Sequence, residues 1–251
     1  MRNKLSPPAL HHLVCSAYDT PLAVSKSLIQ RYLSRPPFSY KLLGNLVEIA
    51  MKADVSQAQF DSAVRKHQPQ KFQSIFLELT PLIHKHFNSI RSKYILQIEP
   101  RKYLINDIEI PFKPPFAFEL NGELVIPWFI FWKTNPLTDY QYSLFATLVD
   151  QVLQQDPDLR DAKVLIYDFS AKDGADSRTL LIKDASEIPR LNPTELQAAL
   201  ETIVDGFKLA QAELSKMQAR EVHIRKRPSL DQNSLFPDGD EDGPQSPKPT
   251  R

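Results

Sequence analysis

The chain has 251 residues, enough for one large domain or a medium one with appendages, and its 24% charged and 42% hydrophobic residues are ordinary for a globular protein. A single cysteine, Cys15, excludes an internal disulfide and a thiolate-rich metal site, and no apolar run reaches the length of a membrane span. The net charge of +1 hides an asymmetry: residues 1–102 carry 15 Lys and Arg against 6 Asp and Glu, leaving 16 against 24 for the rest. A basic N-terminal half suits a polyanionic or acidic partner.

Residues 1–20 show no clear periodicity. Pro7, Pro8, His11 and His12 interrupt any signal-peptide core, so the expected compartment is the cytoplasm. Residues 21–92 read as a helical, basic region. Pro21 opens a helix to about Ser34, and Pro36-Pro37 break the chain. Tyr40, Leu43, Leu46, Val47 and Ala50 then recur at helical spacing, and a short segment follows around Phe60 and Val64. Phe72, Phe76, Leu79, Ile83 and Phe87 mark a longer helix with Pro81 as its expected kink.

Strand signals take over in residues 93–218. Tyr94–Gln97 and Tyr103–Pro111 are short β-prone runs, the latter bent at Asn106-Asp107. In AFELNGELVIPWFIFWK, residues 117–133, Asn121-Gly122 separates two apolar runs, the strongest short-range signal for a hairpin with a primed turn. Leu124–Trp132 is almost free of polar residues, as a strand buried on both faces would be, and it ends on Lys133. Thr138 and Gln141 form a capping box for a helix burying Leu144, Phe145, Leu148 and Val152. Ala162–Phe169 is a buried strand paired with Arg178–Lys183, across a loop whose Lys172-Asp173-Gly174 reads as turn chemistry. Asn192-Pro193-Thr194-Glu195 starts a helix reaching about Gln218. From residue 219 the chain is polar and rich in proline, a disordered tail that cannot bury enough apolar surface to offset ordering.

Helices, strands centred on a hairpin, a helix, a strand pair and a helix, with FIFWKT and DYQYSLFA at their centre, resemble the core of the PD-(D/E)xK nuclease superfamily, especially its RecB-like and TnsA-like branches. The resemblance covers roughly residues 70–210 and implies an α/β fold with a mixed, restriction-endonuclease-like sheet. In that family two carboxylates hold a divalent metal that activates water, while a lysine offsets charge or orients the nucleophile. Lys133 matches the family lysine, and Gln141 and Tyr142 match the element on the following helix. Phe131 stands where the family needs Glu, Asp or Gln, and Pro115 or Phe116 where it needs Asp. The resemblance therefore implies an inactivated member acting as a nucleic-acid-associated accessory or assembly subunit.

Two alternatives stay open. One is an active nuclease with relocated carboxylates (two of Glu119, Glu123, Asp139 and Glu109) beside Lys133 and Gln141, using Mg²⁺. The other is a protein–protein scaffold that never touches nucleic acid. With no GxGxxG, no Walker loop and no HExxH spacing, no other cofactor is expected. His84-x-His86 cannot share a helix face, and His11-His12 is no better as a ligand pair. DNA or RNA phosphates would meet Lys71, Lys85, Arg91, Lys93, Arg101 and Lys102. The aromatic run Trp128, Phe129, Phe131 and Trp132 reads as core, with one face beneath a groove. In the tail, Gln232-Asn233-Ser234-Leu235-Phe236 resembles the bacterial sliding-clamp-binding peptide, in which Leu and Phe fill an apolar pocket. It implies a protein partner reached through the tail.

Overall fold

The computed structural model describes residues 5–34, 39–90, 92, 94–105, 108–135, 137–172 and 175–226, with side chains to Ala219. Pro36-Pro37, the Asn106-Asp107 bend, the Asp173-Gly174 turn, Arg91, Lys93 and the tail residues Gln232, Ser234, Leu235 and Phe236 lie outside them. The chain forms two compact units, residues 1–211 and 212–251.

The first unit is built on a five-stranded mixed sheet. β1 (Ile95–Leu96) lies at one edge, followed by β4 (Ala117–Leu120), β5 (Glu123–Ile130), β6 (Lys163–Asp168) and β7 (Leu181–Asp184). A separate hairpin of β2 (Arg101–Ile105) and β3 (Ile108–Phe112) stands beside it. The run expected to be one bent strand is therefore a two-stranded ribbon, with Tyr103 opposite Ile110.

Asn121 and Gly122 have φ of 55° and 84°, the pair of positive values a type I′ turn requires, and Leu120 faces Glu123 across it. β5 then runs antiparallel to β4 and parallel to β6, with α6 (Asp139–Leu153) as the crossover. Its alternation sorts residues to two cores. Ile126, Trp128 and Ile130 join α1 (Leu10–Val14), α6 and the first turns of α7 (Pro193–Lys226) on one face. Val125 and Phe131, with Phe129 packed against them, join α3 (Lys41–Lys52), α4 (Gln57–His67) and α5 (Gln70–Phe87) on the other. An eight-residue strand covered on both faces has no place for polar residues, which explains its composition.

Pro127 decides where β4 stops. Glu123 and Val125 pair with Leu120 and Phe118, so the odd-numbered residues of β5 turn their backbone groups toward β4. Pro127 is the next of these and has no N–H to donate. β4 begins at Ala117, so β5 from Pro127 onward is paired with β6 alone.

The helices follow their local chemistry. Ser56 and Gln59, Thr138 and Gln141, and Asn192 and Glu195 all form reciprocal capping boxes. In α5, Phe76, Leu79, Ile83 and Phe87 are fully buried at helical spacing, each contributing roughly 1.5–3 kcal/mol by leaving water. Pro81 does not end that helix; the Leu77 carbonyl that loses its N–H partner has the Thr80 hydroxyl 3.3 Å away. The aperiodic N-terminus contains α1, whose Leu10, Leu13 and Val14 enter the core. α7 runs through Lys226, past the boundary expected at 218.

α2 (Pro21–Leu33) crosses α7 where Gly206 meets Val24. A Cβ on Gly206 would lie 2.5 Å from two Val24 side-chain atoms and 2.8 Å from the Pro21 carbonyl oxygen. Gly206→Ala is expected to destabilise the protein by about 1–3 kcal/mol, although alanine is the better helix former, because the crossing cannot open without losing its packing. Urea denaturation measures it, and an unchanged or raised midpoint would contradict so close an approach.

Candidate functional site

The missing β4 partner leaves a notch beside the second half of β5. A pocket of about 380 Å³ occupies it, lined by Trp128, Phe129 and Phe131 from β5 and by Pro115 and Phe116 from the segment entering β4. α3 closes another side with Tyr40, Lys41, Gly44, Asn45 and Glu48, while His11, Gln97 and Lys113 complete the wall. The ring centroids of Phe129 and Phe131 lie 5.3 Å apart with planes 17° from parallel, a stacked apolar pair. Pro115, Phe116 and Phe131, the positions singled out as departures from a metal-binding set, all line this one cavity.

Charge around the notch is uneven. Glu48 is engaged by Lys52 one turn along α3. Lys41 and Lys113 are exposed, with no ion-pair partner among the described residues. At the end of β5, Lys133 is exposed, and its carbonyl accepts from Ala171 N–H at 2.8 Å, which brings Lys172 alongside. Neither of these lysines has an ion-pair partner among the described residues.

Beneath them the strand end is tied down by Arg178. Its side chain is 3% exposed and donates to Glu78 Oε2 at 3.1 Å and to the Phe131 carbonyl at 2.8 Å. Burial raises the Tyr40 pKa, opposed by the Arg178 guanidinium beside it. On the other face Asp168, buried at the end of β6, accepts from Asn135 Nδ2 at 2.6 Å and from Ser170 N–H at 2.9 Å. Asn135 also donates to the Tyr142 hydroxyl at 2.5 Å. Burial pushes the Tyr142 pKa up to about 12, with the Asn135 hydrogen bond opposing. Neither Arg178 nor Asp168 was singled out from sequence. The available signal was a carboxylate closing the otherwise apolar AKVLIYDF strand, and an arginine opening the apolar RTLLIK run.

The proposed nuclease residues are not brought together. Glu119 and Glu123 flank the hairpin turn, where Glu119 Oε1 accepts from Gly122 N–H at 2.6 Å. From Glu123 to Ile130 alone β5 spans roughly 23 Å at the usual strand rise, and Lys133 lies beyond that far end. Gln141 is buried and used structurally: it completes the α6 cap and donates from Nε2 to the Ala17 carbonyl at 3.0 Å. Asp139 sits exposed in the first turn of α6, and Glu109 pairs with Lys102. Relocated carboxylates at Glu119 and Glu123 therefore cannot share a metal with Lys133 nearby. Among the described residues no three His, Cys, Asp or Glu side chains gather as a metal-binding group.

The expected phosphate contacts are scattered too. Lys71 and Lys85 sit near opposite ends of α5, about 20 Å apart along the axis. The Lys71 ammonium lies 4.8 Å over the Phe72 ring. Arg101 donates to Asp156 from Nε at 2.8 Å, and Lys102 is held by Glu109, so both already have carboxylate partners. Comparison with known protein-family models and with curated protein sequences gives no match.

His11 and His12, in α1, pack ring against ring at 3.8 Å; His11 also meets Trp128 edge-on at 4.8 Å. Burial first, then the neighbouring positive charges of His12 and Arg31, holds the His11 pKa well below its ordinary value. Burial and Arg31 bring His12 from 6.5 down to about 4. The unfolded chain thus takes up a proton below 6.5 that the fold refuses until about 4. This contribution to stability is complete above 6.5 and is lost as pH falls through that window, a change on the order of 3 kcal/mol. His12→Gln should flatten the fall in urea midpoint between those pH values relative to wild type; an unchanged slope would show that His12 is protonated in the fold.

Proposed function

We propose that the protein is a non-catalytic, nucleic-acid-associated accessory subunit of a DNA-processing assembly, built on a nuclease-like core. The observation that carries this reading is the notch: Pro115, Phe116 and Phe131 fill the positions where metal-holding carboxylates are needed, Lys41 and Lys113 line it, and Lys133 and Lys172 stand past the end of β5, all four without carboxylate partners among the described residues. Apolar side chains cannot hold a divalent ion. Lysines without competing carboxylates attract phosphate at no cost in broken ion pairs. The antiparallel β4–β5 hairpin, the α6 crossover and parallel β6 give the element order of such a core, which supports the resemblance by analogy. On this reading the phosphate-contacting surface is centred on the notch and the end of β5, and not on Lys71 to Lys102. The tail peptide Gln232–Phe236 serves as the tether to a sliding clamp, an assignment resting on its residue pattern alone.

The decisive experiment is fluorescence-anisotropy binding to single- and double-stranded DNA and RNA across a salt series with Mg²⁺ present, with products examined on a gel. Binding should weaken steeply with salt and leave the strands intact. Lys133→Glu with Lys172→Glu should lower the affinity and reduce the logarithmic salt slope by about 0.7–0.9 for each phosphate that is no longer neutralised. Cleavage would overturn the non-catalytic assignment. Absence of binding at low salt would overturn the nucleic-acid assignment and leave the scaffold.

A further inference from the structure

The notch is more specific than a basic surface needs to be. A volume of about 380 Å³ is at the small end of small-molecule sites, too small for a base pair and ample for one nucleotide. Its floor is the stacked Phe129–Phe131 pair, in which Phe131 is buried and Phe129 only half-buried. A partly exposed aromatic ring accepts the π-face of any nucleobase. Two sets of polar groups line the notch unengaged. The side-chain amides of Asn45 and Gln97 are exposed and make no side-chain hydrogen bond among the described residues. Lys41 and Lys113 stand exposed in the same wall.

Gly44 adds an independent observation. Glycine weakens a helix interior, and a Cβ here would meet nothing within 4 Å, so no neighbouring atom excludes a larger residue. Gly206 differs, because there Val24 and the Pro21 carbonyl demand glycine. What a side chain at Gly44 would enter is the notch.

We propose that the notch is a single-nucleotide subsite, which takes one unpaired base of a single strand against Phe129, backed by Phe131, with its phosphate on Lys41 and Lys113. Asn45 and Gln97 meet the hydrogen-bonding edge of the base. This rests on the nucleic-acid reading above and adds to it a demand that phosphate contacts alone do not make: the base must be present and unstacked.

The test uses the full chain and two fluorescein-labelled DNA strands of about a dozen units, one oligothymidine and one wholly abasic, with the same phosphate count. Oligothymidine should bind about tenfold or more tightly than the abasic strand, the scale of one base stacked on an aromatic ring. Gly44→Leu fills the notch from a position free of packing, so it should erase that preference while leaving the melting temperature unchanged or raised. Thymidine 5′-monophosphate should compete only weakly. Equal binding of both strands by the wild type, still salt-sensitive, would overturn the subsite and leave the accessory function standing. A preference that survives Gly44→Leu would also overturn it, since the base would then sit elsewhere. Competition by the mononucleotide as strong as by the oligonucleotide would overturn the strand as ligand in favour of a free nucleotide. Binding of neither strand would overturn both readings.

Discussion

Everything in the first unit depends on one strand being covered on both faces and unpaired along half of one edge. β5 sends Ile126, Trp128 and Ile130 into one core and Val125 and Phe131 into the other, so neither helical layer can pack without it. Period-two alternation makes the two cores inseparable: a slip of one residue would exchange their contents. Pro127 then ends the β4 ladder at Ala117 by withholding a donor, and the sheet opens beside its own most aromatic segment. The pocket is thus a consequence of ladder chemistry and not a gap left by poor packing.

An opening beside a buried strand needs something rigid to hold its shape. Arg178 provides this by linking the Phe131 carbonyl, just past the end of β5, to Glu78 on α5. On the opposite face Asp168, Asn135 and Tyr142 join the end of β6 to the start of α6. A buried arginine or carboxylate is costly unless its partners are in place, so each arrangement admits few alternatives. The exposed Lys133 and Lys172 extend from this anchored end, which gives their charges a fixed place next to the notch without burying them.

Local chemistry made much of this legible. The Asn121-Gly122 turn, the Thr138 and Asn192 caps, the doubly buried strand and the apolar face of α5 each follow from rules spanning a few residues, and the α/β class follows from their order. The readings that failed needed distant contacts. α1 has no usable periodicity because five residues are too few to show one, and it is helical because Leu10, Leu13 and Val14 have a core to enter. Arg101 and Lys102 looked like phosphate ligands until Asp156 and Glu109 were found beside them.

The candidate site divides the same way. The sequence by itself determined that Lys133 ends an apolar strand and that a hairpin turn opens that strand, because chain order and side-chain chemistry suffice for those statements. It had no means of showing that Glu119 and Glu123 lie at the far end of the strand from Lys133, since only hairpin register and strand length fix that separation. Nor did it show that His11, Gly44, Gln97 and Lys113, drawn from four separate stretches of chain, wall one cavity with Phe131. Only the tertiary structure decided this, because a pocket between a helix, a loop and a strand edge is a property of their packing and leaves no periodic trace in any one of them.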